Sequence, residues 1–195
     1  MAIPSVTSHN EDSELITNYD LTAAAHGLLG GISLDVASSP IANKHVEAEE
    51  YFTPKDDGLN DQQWYGRVYL FPPAGAYFWD KKGDRWKMTR ASSPTLVSSH
   101  AVWFRKLLRS WLAGDVEQGL YFGNCPDMIR YEQRIFDFPI CILRTAPTLL
   151  KNSSKGLSNH KTCTSLLVYL PPTHNSDEAV SRFEDIYSDK GKVLV

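Results

Sequence analysis

The sequence has few cysteines and no long apolar run, and each shortage excludes a class of protein. Its three cysteines (Cys125, Cys141 and Cys163) are widely spaced, which argues against a disulfide framework and against a CxxC metal site. No stretch approaches the roughly 20 apolar residues that span a bilayer, and the polar N-terminus has no signal-peptide core. We therefore expect a soluble, intracellular protein that does not insert into a membrane; the sequence does not indicate its compartment.

The chain also lacks an excess of either charge, with 20 lysines and arginines against 23 aspartates and glutamates and a net charge of -3. A small domain that grips duplex phosphates is usually basic overall, so nucleic acid would bind here only through a local patch. The segment AYFWDKKGDRWKMTR interleaves tryptophans with basic residues, which can hold phosphates and stack bases. The alternative is a solvated loop with two tryptophans folded beneath it. The candidate nucleic-acid-binding residues are Lys81, Lys82, Arg85, Lys87 and Arg90.

The length of 195 residues suits a single domain with a full core. We expect a flexible tail over residues 1–14 and one domain over 15–195. Apolar periodicity and turn residues predict strands and helices in alternation. The predicted strands lie at 32–35, 67–71, 120–122, 139–143 and 163–170, the helices at 20–29, 42–50, 98–112, 127–133 and 179–187, and a polar loop at 151–162.

The stretch 32–75 has the organisation of a ligand site. A strand ends at Asp35, a turn and a short helix follow, and a second strand runs directly into Pro72 and Pro73. In α/β proteins, loops that leave the carboxyl ends of neighbouring parallel strands meet over a binding crevice. Common catalytic patterns such as GxSxG, HExxH and the P-loop are missing, and no two histidines stand three or four positions apart. We therefore expect no metal.

The same stretch resembles the phage and bacterial Dam-type DNA adenine methyltransferases, whose pattern runs LDPAS, then ANxxVxAxxYFTxxDDGL, then WxGRVxxNPPYG. The matching segments here are Leu34-Asp35-Val36-Ala37-Ser38, Ala42-Asn43, Val46, Ala48, Tyr51-Phe52-Thr53, Asp56-Asp57-Gly58-Leu59 and Trp64-Tyr65-Gly66-Arg67-Val68. The resemblance is close over 32–75 and looser over 16–190. It implies a Rossmann-like, S-adenosylmethionine-dependent methyltransferase fold of the α/β class, with a mostly parallel central sheet flanked by helices.

The resemblance also implies a site for S-adenosylmethionine. Its candidate residues are Thr17, Asp35, Ala37, Ser38, Asn43 and Asp57. Val36 replaces the proline of the first motif, and Ile16 and Asn18 replace the tyrosine and proline that flank the threonine in the family. Two purely structural alternatives remain: the first aspartate caps the following turn, and Asp57 belongs to an Asp-Gly turn that needs no ligand.

The catalytic motif of the family is altered in this chain. NPPY becomes Phe71-Pro72-Pro73-Ala74. In the family, the asparagine and a proline carbonyl accept hydrogen bonds from the adenine amine, and the tyrosine stacks on the flipped base. Losing a group that stabilises developing charge costs about 10²–10³ in rate, and losing a stacking ring costs about 1–3 kcal/mol. We therefore expect these four positions to be catalytically inactive.

Three functions are compatible with this sequence. The first is a pseudoenzyme that binds S-adenosylmethionine, DNA or a protein without turnover. The second is a structural subunit of a larger assembly, with side chains such as Phe71 and Tyr77 filling the cofactor pocket. The third is an active methyltransferase that modifies the amino group of adenine in DNA. The near-neutral charge favours a protein partner, and DNA is a further candidate.

Overall fold

The computed structural model describes residues 14–89, 96–152, 156–161 and 165–195. The predicted tail, residues 1–14, therefore lies outside the described residues except for Glu14. The helices are α1 (Tyr19–Leu29), α2 (Asn43–Val46), α3 (Ser99–Leu112), α4 (Cys125–Tyr131) and α5 (Ser176–Tyr187), with a 3-10 helix at Gln133–Asp137. The strands are β1 (Leu15–Ile16), β2 (Leu34–Asp35), β3 (Glu50–Tyr51), β4 (Gly66–Leu70), β5 (Ala76–Asp80), β6 (Arg85–Thr89), β7 (Val97–Ser98), β8 (Val116–Asn124), β9 (Ile140–Leu143), β10 (Thr148–Lys151), β11 (Ser158–Lys161), β12 (Ser165–Leu170) and β13 (Gly191–Leu194).

A seven-stranded sheet forms the centre of the described structure, in the order β13-β9-β12-β8-β4-β2-β3. The strands β3, β2, β4 and β8 are parallel neighbours. The pairs β8–β12, β12–β9 and β9–β13 are antiparallel. Half of the pairings in this sheet are therefore antiparallel, and the two smaller sheets are entirely so.

The predicted Rossmann-like fold with a mostly parallel sheet is wrong. The physical reason lies in β12, which is buried at all six positions. A continuous apolar run is typical of a buried parallel strand, but an antiparallel strand covered on both faces produces the same run. An apolar run in the sequence indicates that a strand is buried, but it does not indicate the direction of the strand.

Two hydrophobic clusters cover the two faces of the central sheet. Val68 and Leu70 belong to the cluster that includes α3, whereas Tyr69 between them belongs to the cluster of α1 and α5. This alternation follows from the two-residue period of a strand. The helices α1 and α5 pack against each other on their side of the sheet.

Helix α1 ends at the predicted residue, Leu29, and begins at Tyr19, one residue before the predicted start. The side chain of Asn18 accepts a hydrogen bond from the backbone N–H of Leu21 at 3.1 Å, which satisfies one of the free donors of the first turn. Gly30 ends the helix with φ of 69°, and its N–H donates to the carbonyl of His26 at 2.9 Å.

Several predicted elements differ in extent. The helix expected at 42–50 is shortened to α2, because Glu47 takes a left-handed φ of 55°. The strand expected at 120–122 is the nine-residue β8. The strand expected at 163–170 is described from Ser165 onwards. The loop expected at 151–162 contains β11, which pairs with β10, while residues 153–155 and 162 are outside the described structure.

The two smaller sheets flank the central one. The first has the order β1-β10-β11 and the second β6-β5-β7. In the second, β5 and β6 form a hairpin with Trp79 opposite Trp86. The sequence analysis assigned no strand to this segment and gave a solvated loop as one of two alternatives, although the apolar residues on both sides of KKGD are a hairpin signal.

Candidate functional site

The carboxyl ends of β2 and β4 lie at one edge of the central sheet because the two strands are parallel neighbours. The segment after β2 contains Ala37 and Ser38, and the segment after β4 begins with Phe71. Thr17, which precedes α1, reaches the same region: its hydroxyl shares a hydrogen bond of 2.7 Å with the hydroxyl of Tyr69. This edge therefore brings together residues that the sequence predicted for cofactor binding and for catalysis.

Asp35 is the most strongly perturbed acid at this edge. It is 3% exposed, and its Oδ1 accepts a hydrogen bond from the N–H of Ala37 at 3.2 Å. Burial raises the pKa of Asp35 to about 6; the neighbouring Ser38 and Ala37 lower it, and the charge of Glu14 raises it further. A carboxyl group held away from water is costly for the fold and is typical of functional sites.

The hydroxyl of Ser38 has unused hydrogen-bonding capacity. It lies beside Asp35, yet no hydrogen bond of good geometry joins it to any described residue. The backbone N–H of Ser38 donates to the carbonyl of Phe52 at 2.8 Å, which fixes the turn after β2. A buried polar atom without a partner calls for an explanation such as a ligand or an ordered water. Ser38 therefore adds a buried polar group with spare hydrogen-bonding capacity beside Asp35.

Tyr69 and Tyr187 add two phenol groups to this polar cluster, on the face of the sheet that α1 and α5 cover. Burial raises the pKa of both phenols, and for Tyr69 the bond to Thr17 lowers it while the charge of Asp35 adds to the rise. The hydroxyl of Tyr187 is buried without a hydrogen-bond partner among the described residues. Sequence reasoning missed both tyrosines; the only available signal was a polar hydroxyl inside an otherwise apolar run.

Asn43 has a structural function in this conformation. Its side-chain nitrogen donates to the carbonyl of Ala48 at 3.1 Å, and its side-chain oxygen accepts from the N–H of Ala48 at 3.0 Å. Both ends of the amide thus close the loop between α2 and β3. A cofactor could contact Asn43 only through the second N–H of its side-chain nitrogen or the second lone pair of its side-chain oxygen.

Asp57 lies near the same strand end, but its carboxylate is engaged elsewhere. The adjacent Gly58 packs tightly against the backbone of Val36: a Cβ added to Gly58 would lie 2.4 Å from the carbonyl oxygen of Val36. The carboxylate of Asp57 accepts from the side chain of Asn60 at 3.0 Å and forms an ion pair with Arg85. The residue connects the turn before β4 to the hairpin β5–β6.

The altered catalytic motif is a loop without a side-chain acceptor. The ring of Phe71 is half-buried against the α1 and α5 cluster, with its centroid 4.9 Å from that of Phe122. Pro72 is buried and Ala74 is exposed. The carbonyl of Gly75 is already used, because it accepts a hydrogen bond from the N–H of Ser99 at 3.0 Å.

Two of the four described basic residues of the hairpin are paired with acids. Arg85 binds Asp57 and Asp61, and Lys87 binds Asp80 at 2.5 Å. The remaining candidates differ: Lys81 and Lys82 are exposed in the turn of the hairpin, and Arg90 lies outside the described residues. Trp79 is 43% exposed and packs edge-to-face on Trp86, which leaves it available for stacking.

Among the described residues, two cavities lie at the opposite end of the sheet, near the end of β12 and the start of α5. One is small, about 180 Å³, and is lined by polar groups such as Gln118 and Arg182. The other is an open apolar groove of about 500 Å³ between Trp111, Phe136 and Val180. Neither cavity includes a residue of the Asp35 edge.

The described residues meet neither the requirements of a metal site nor those of a membrane-spanning helix. They contain no group of three or more histidine, cysteine, aspartate or glutamate residues that could hold a metal ion. None of their helices combines the length and the apolarity needed to cross a membrane.

Compared with protein-family models, with curated proteins and with solved structures, the chain has no significant match in any of the three. The likeness to Dam-type methyltransferases therefore depends on the quoted residues alone.

Proposed function

We propose that this chain is a non-catalytic protein similar to Dam-type adenine methyltransferases, which holds S-adenosylmethionine at the Asp35 edge and acts as a binding subunit of a larger assembly. The observation that carries the proposal is the position of Phe71. Its ring packs on Phe122 at the place where the resemblance requires a hydrogen-bond acceptor for the substrate amine.

The chemistry of this loop supports a loss of turnover. Transfer to an exocyclic amine requires an acceptor that draws off positive charge, and a phenyl ring provides none. Ala74 also provides no ring to stack on a flipped base. In this proposal the residues at this edge bind and orient a molecule, and the side chain that would activate an amine is missing at Phe71.

The polar groups around Asp35 support retention of the cofactor. Bound S-adenosylmethionine would supply an activated methyl group and several N–H and O–H donors. In this proposal the carboxylate of Asp35 accepts from such donors, while Ser38 and Thr17 add hydroxyls at the same edge. Binding then offsets the cost of burying the acid, which no described basic residue neutralises through an ion pair.

The charge distribution supports a protein partner. Arg85 and Lys87 of the hairpin are neutralised by Asp57, Asp61 and Asp80, which leaves Lys81 and Lys82 as the described hairpin residues available to phosphates. The apolar groove beside Trp111 and Phe136 presents a surface of the kind that other proteins cover. DNA remains a candidate for the exposed turn at Lys81 and Lys82.

The decisive experiment is a calorimetric titration of the chain with S-adenosylmethionine, combined with a methylation assay on adenine-containing DNA. We expect micromolar binding to the wild type, a loss of at least about tenfold in Asp35→Asn because a charged hydrogen bond is removed, and no methyl transfer. Asp115→Asn is the matched control, since Asp115 is an exposed acid whose side chain has no described contact.

Two outcomes would contradict the proposal. Methylated adenine formed by the wild type and abolished by Asp35→Asn would establish the alternative, an active adenine methyltransferase. An absence of binding at millimolar cofactor would leave a structural subunit whose pocket is filled by its own side chains.

A further inference from the structure

Lys106, on α3, is bonded to the backbone of the turn that precedes β4. Its ammonium donates to the carbonyls of Gly58, Leu59 and Gln62 at 2.8, 2.8 and 2.6 Å. The same nitrogen lies 5.1 Å from the ring centroid of Trp64. An ammonium has three N–H donors, so all of them are used to hold one turn, which we term the anchor turn (residues 57–62).

The anchor turn is also bonded to β6, the outer strand of the hairpin β5–β6. The side chain of Asn60 accepts from the N–H of Trp86 at 2.8 Å and donates to its carbonyl at 3.1 Å. Asp57 and Asp61 both pair with Arg85. Because β6 lies at an edge of its sheet, these bonds satisfy backbone groups that the sheet leaves free.

The base of the hairpin is attached separately. Ala76 pairs with Ser98 of β7, and the hydroxyl of Tyr77 accepts a hydrogen bond from the indole N–H of Trp103 at 3.3 Å. The base of the hairpin is therefore attached to α3 and β7. The polar contacts of the outer strand, β6, are made with the anchor turn.

We propose that Lys106 is a proton-dependent switch for the hairpin: the charged side chain fixes β6 to the body of the protein, and the neutral side chain releases it. Loss of the proton leaves two N–H donors for three carbonyl oxygens at 2.6–2.8 Å, so the lone pair of the neutral amine faces one of these oxygens and that contact becomes repulsive. The carbonyl of Gly58 keeps a second donor, the indole N–H of Trp64 at 2.8 Å, so the change weakens the attachment of α3 to the turn. The anchor turn then loosens, and with it the bonds from Asn60 and the two aspartates to β6.

The surroundings of Lys106 lower the pKa of its ammonium group towards neutral pH. Burial and the charge of Arg109 on the same helix lower the pKa of Lys106 to about 8, while Asp57 and Asp61 on the anchor turn raise it. The lysine is therefore mostly charged below about pH 8, and its bonds to the anchor turn weaken as the pH rises through about 8.

The experiment is amide hydrogen exchange at pH 7 and pH 9, with each rate divided by the intrinsic rate at that pH. For the wild type we expect the hairpin amides, residues 76–80 and 85–89, to exchange about tenfold faster at pH 9, as expected when a charged hydrogen bond is lost. The amides of β12 should not change, which separates local release from global unfolding. Lys106→Met should show fast hairpin exchange at both pH values.

Lys55→Met is the matched control, since Lys55 is exposed and has no described contact with the hairpin; it should behave as the wild type. Should Lys106→Met fail to fold, Asn60→Ala retains the lysine but removes the two bonds from the anchor turn to the backbone of Trp86, and should show faster exchange of the β6 amides than the wild type at both pH values. Equal hairpin protection at pH 7 and pH 9 in the wild type, or wild-type protection in Asn60→Ala, would overturn the proposal.

Discussion

The buried carboxyl group of Asp35 makes the stability of the protein depend on pH. Its burial raises the pKa of the carboxyl from 3.8 to about 6, so the folded state binds a proton more tightly than the unfolded chain does. The contribution of this group to stability is therefore fully present below pH 3.8 and is lost as the pH rises through 6. Above pH 6 the buried charge destabilises the protein by about 3 kcal/mol, at 1.36 kcal/mol for each pH unit.

We predict that Asp35→Asn increases the free energy of unfolding by about 1–3 kcal/mol at pH 7.5 and that the gain shrinks towards pH 4. Urea unfolding at the two pH values measures it, and Asp115→Asn should change stability by less than about 0.5 kcal/mol at both. A variant that is less stable than the wild type at pH 7.5 would mean that the carboxylate contributes to the fold, in conflict with a binding function.

At the scale of secondary-structure elements, one carboxylate joins three helical segments. Glu132 is 4% exposed and lies between α4 and the 3-10 helix. Its Oε2 accepts from Nε of Arg105 on α3 at 2.7 Å, and its Oε1 accepts from Nε of Arg134 at 2.7 Å. Burial alone would raise the pKa of Glu132, but the bonds to the two arginines outweigh it and the pKa is lowered.

We predict that Glu132→Gln destabilises the protein by about 3 kcal/mol, the lower end for a broken buried ion pair, because both arginines are partly exposed. Because the pKa is lowered, the stabilisation by Glu132 should be present at neutral pH and lost as the pH falls through the pKa of the folded state. Chemical denaturation measures the change. Glu178→Gln, which breaks an exposed pair with Arg182, should cost less than about 0.5 kcal/mol; equal losses in the two variants would contradict the prediction.

At the scale of the whole molecule, the stability should decline from the centre of the seven-stranded sheet towards the small flanking sheets. The strand β12 is buried at every position and lies between β8 and β9. The strand β10 is mostly half-buried, and residues 158–160 of β11 are exposed. Amides open locally where few apolar contacts and exposed hydrogen bonds occur.

We predict that the amides of β8 and β12 exchange at least about a hundredfold more slowly than those of β10 and β11. Native-state hydrogen exchange at neutral pH measures this difference directly. Protection in β10 and β11 as high as in β12 would mean that the small sheet and the central sheet open as one cooperative unit.

Local chemistry is the part of this structure that the sequence determines. The N-cap at Asn18, the left-handed Gly30 and the apolar face of α3 follow from rules that act within a few residues. The meeting of Asp35, Ser38 and Phe71 at one edge also follows from the sequence, because the two strands concerned are parallel neighbours, as their spacing suggested. The replacement of an acceptor by Phe71 is visible in the sequence without any coordinates.

Only the tertiary structure decided the directions of β12, β9 and β13, the partners of the charged side chains and the location of the cavities. Strand direction depends on where the chain returns after β8, and a buried apolar strand has the same composition in either direction. The pairing of Arg85 with Asp57, and of Lys106 with the anchor turn, joins residues 28 and 44 to 48 positions apart. Such contacts form because packing brings distant backbone groups together, and no local pattern contains that information.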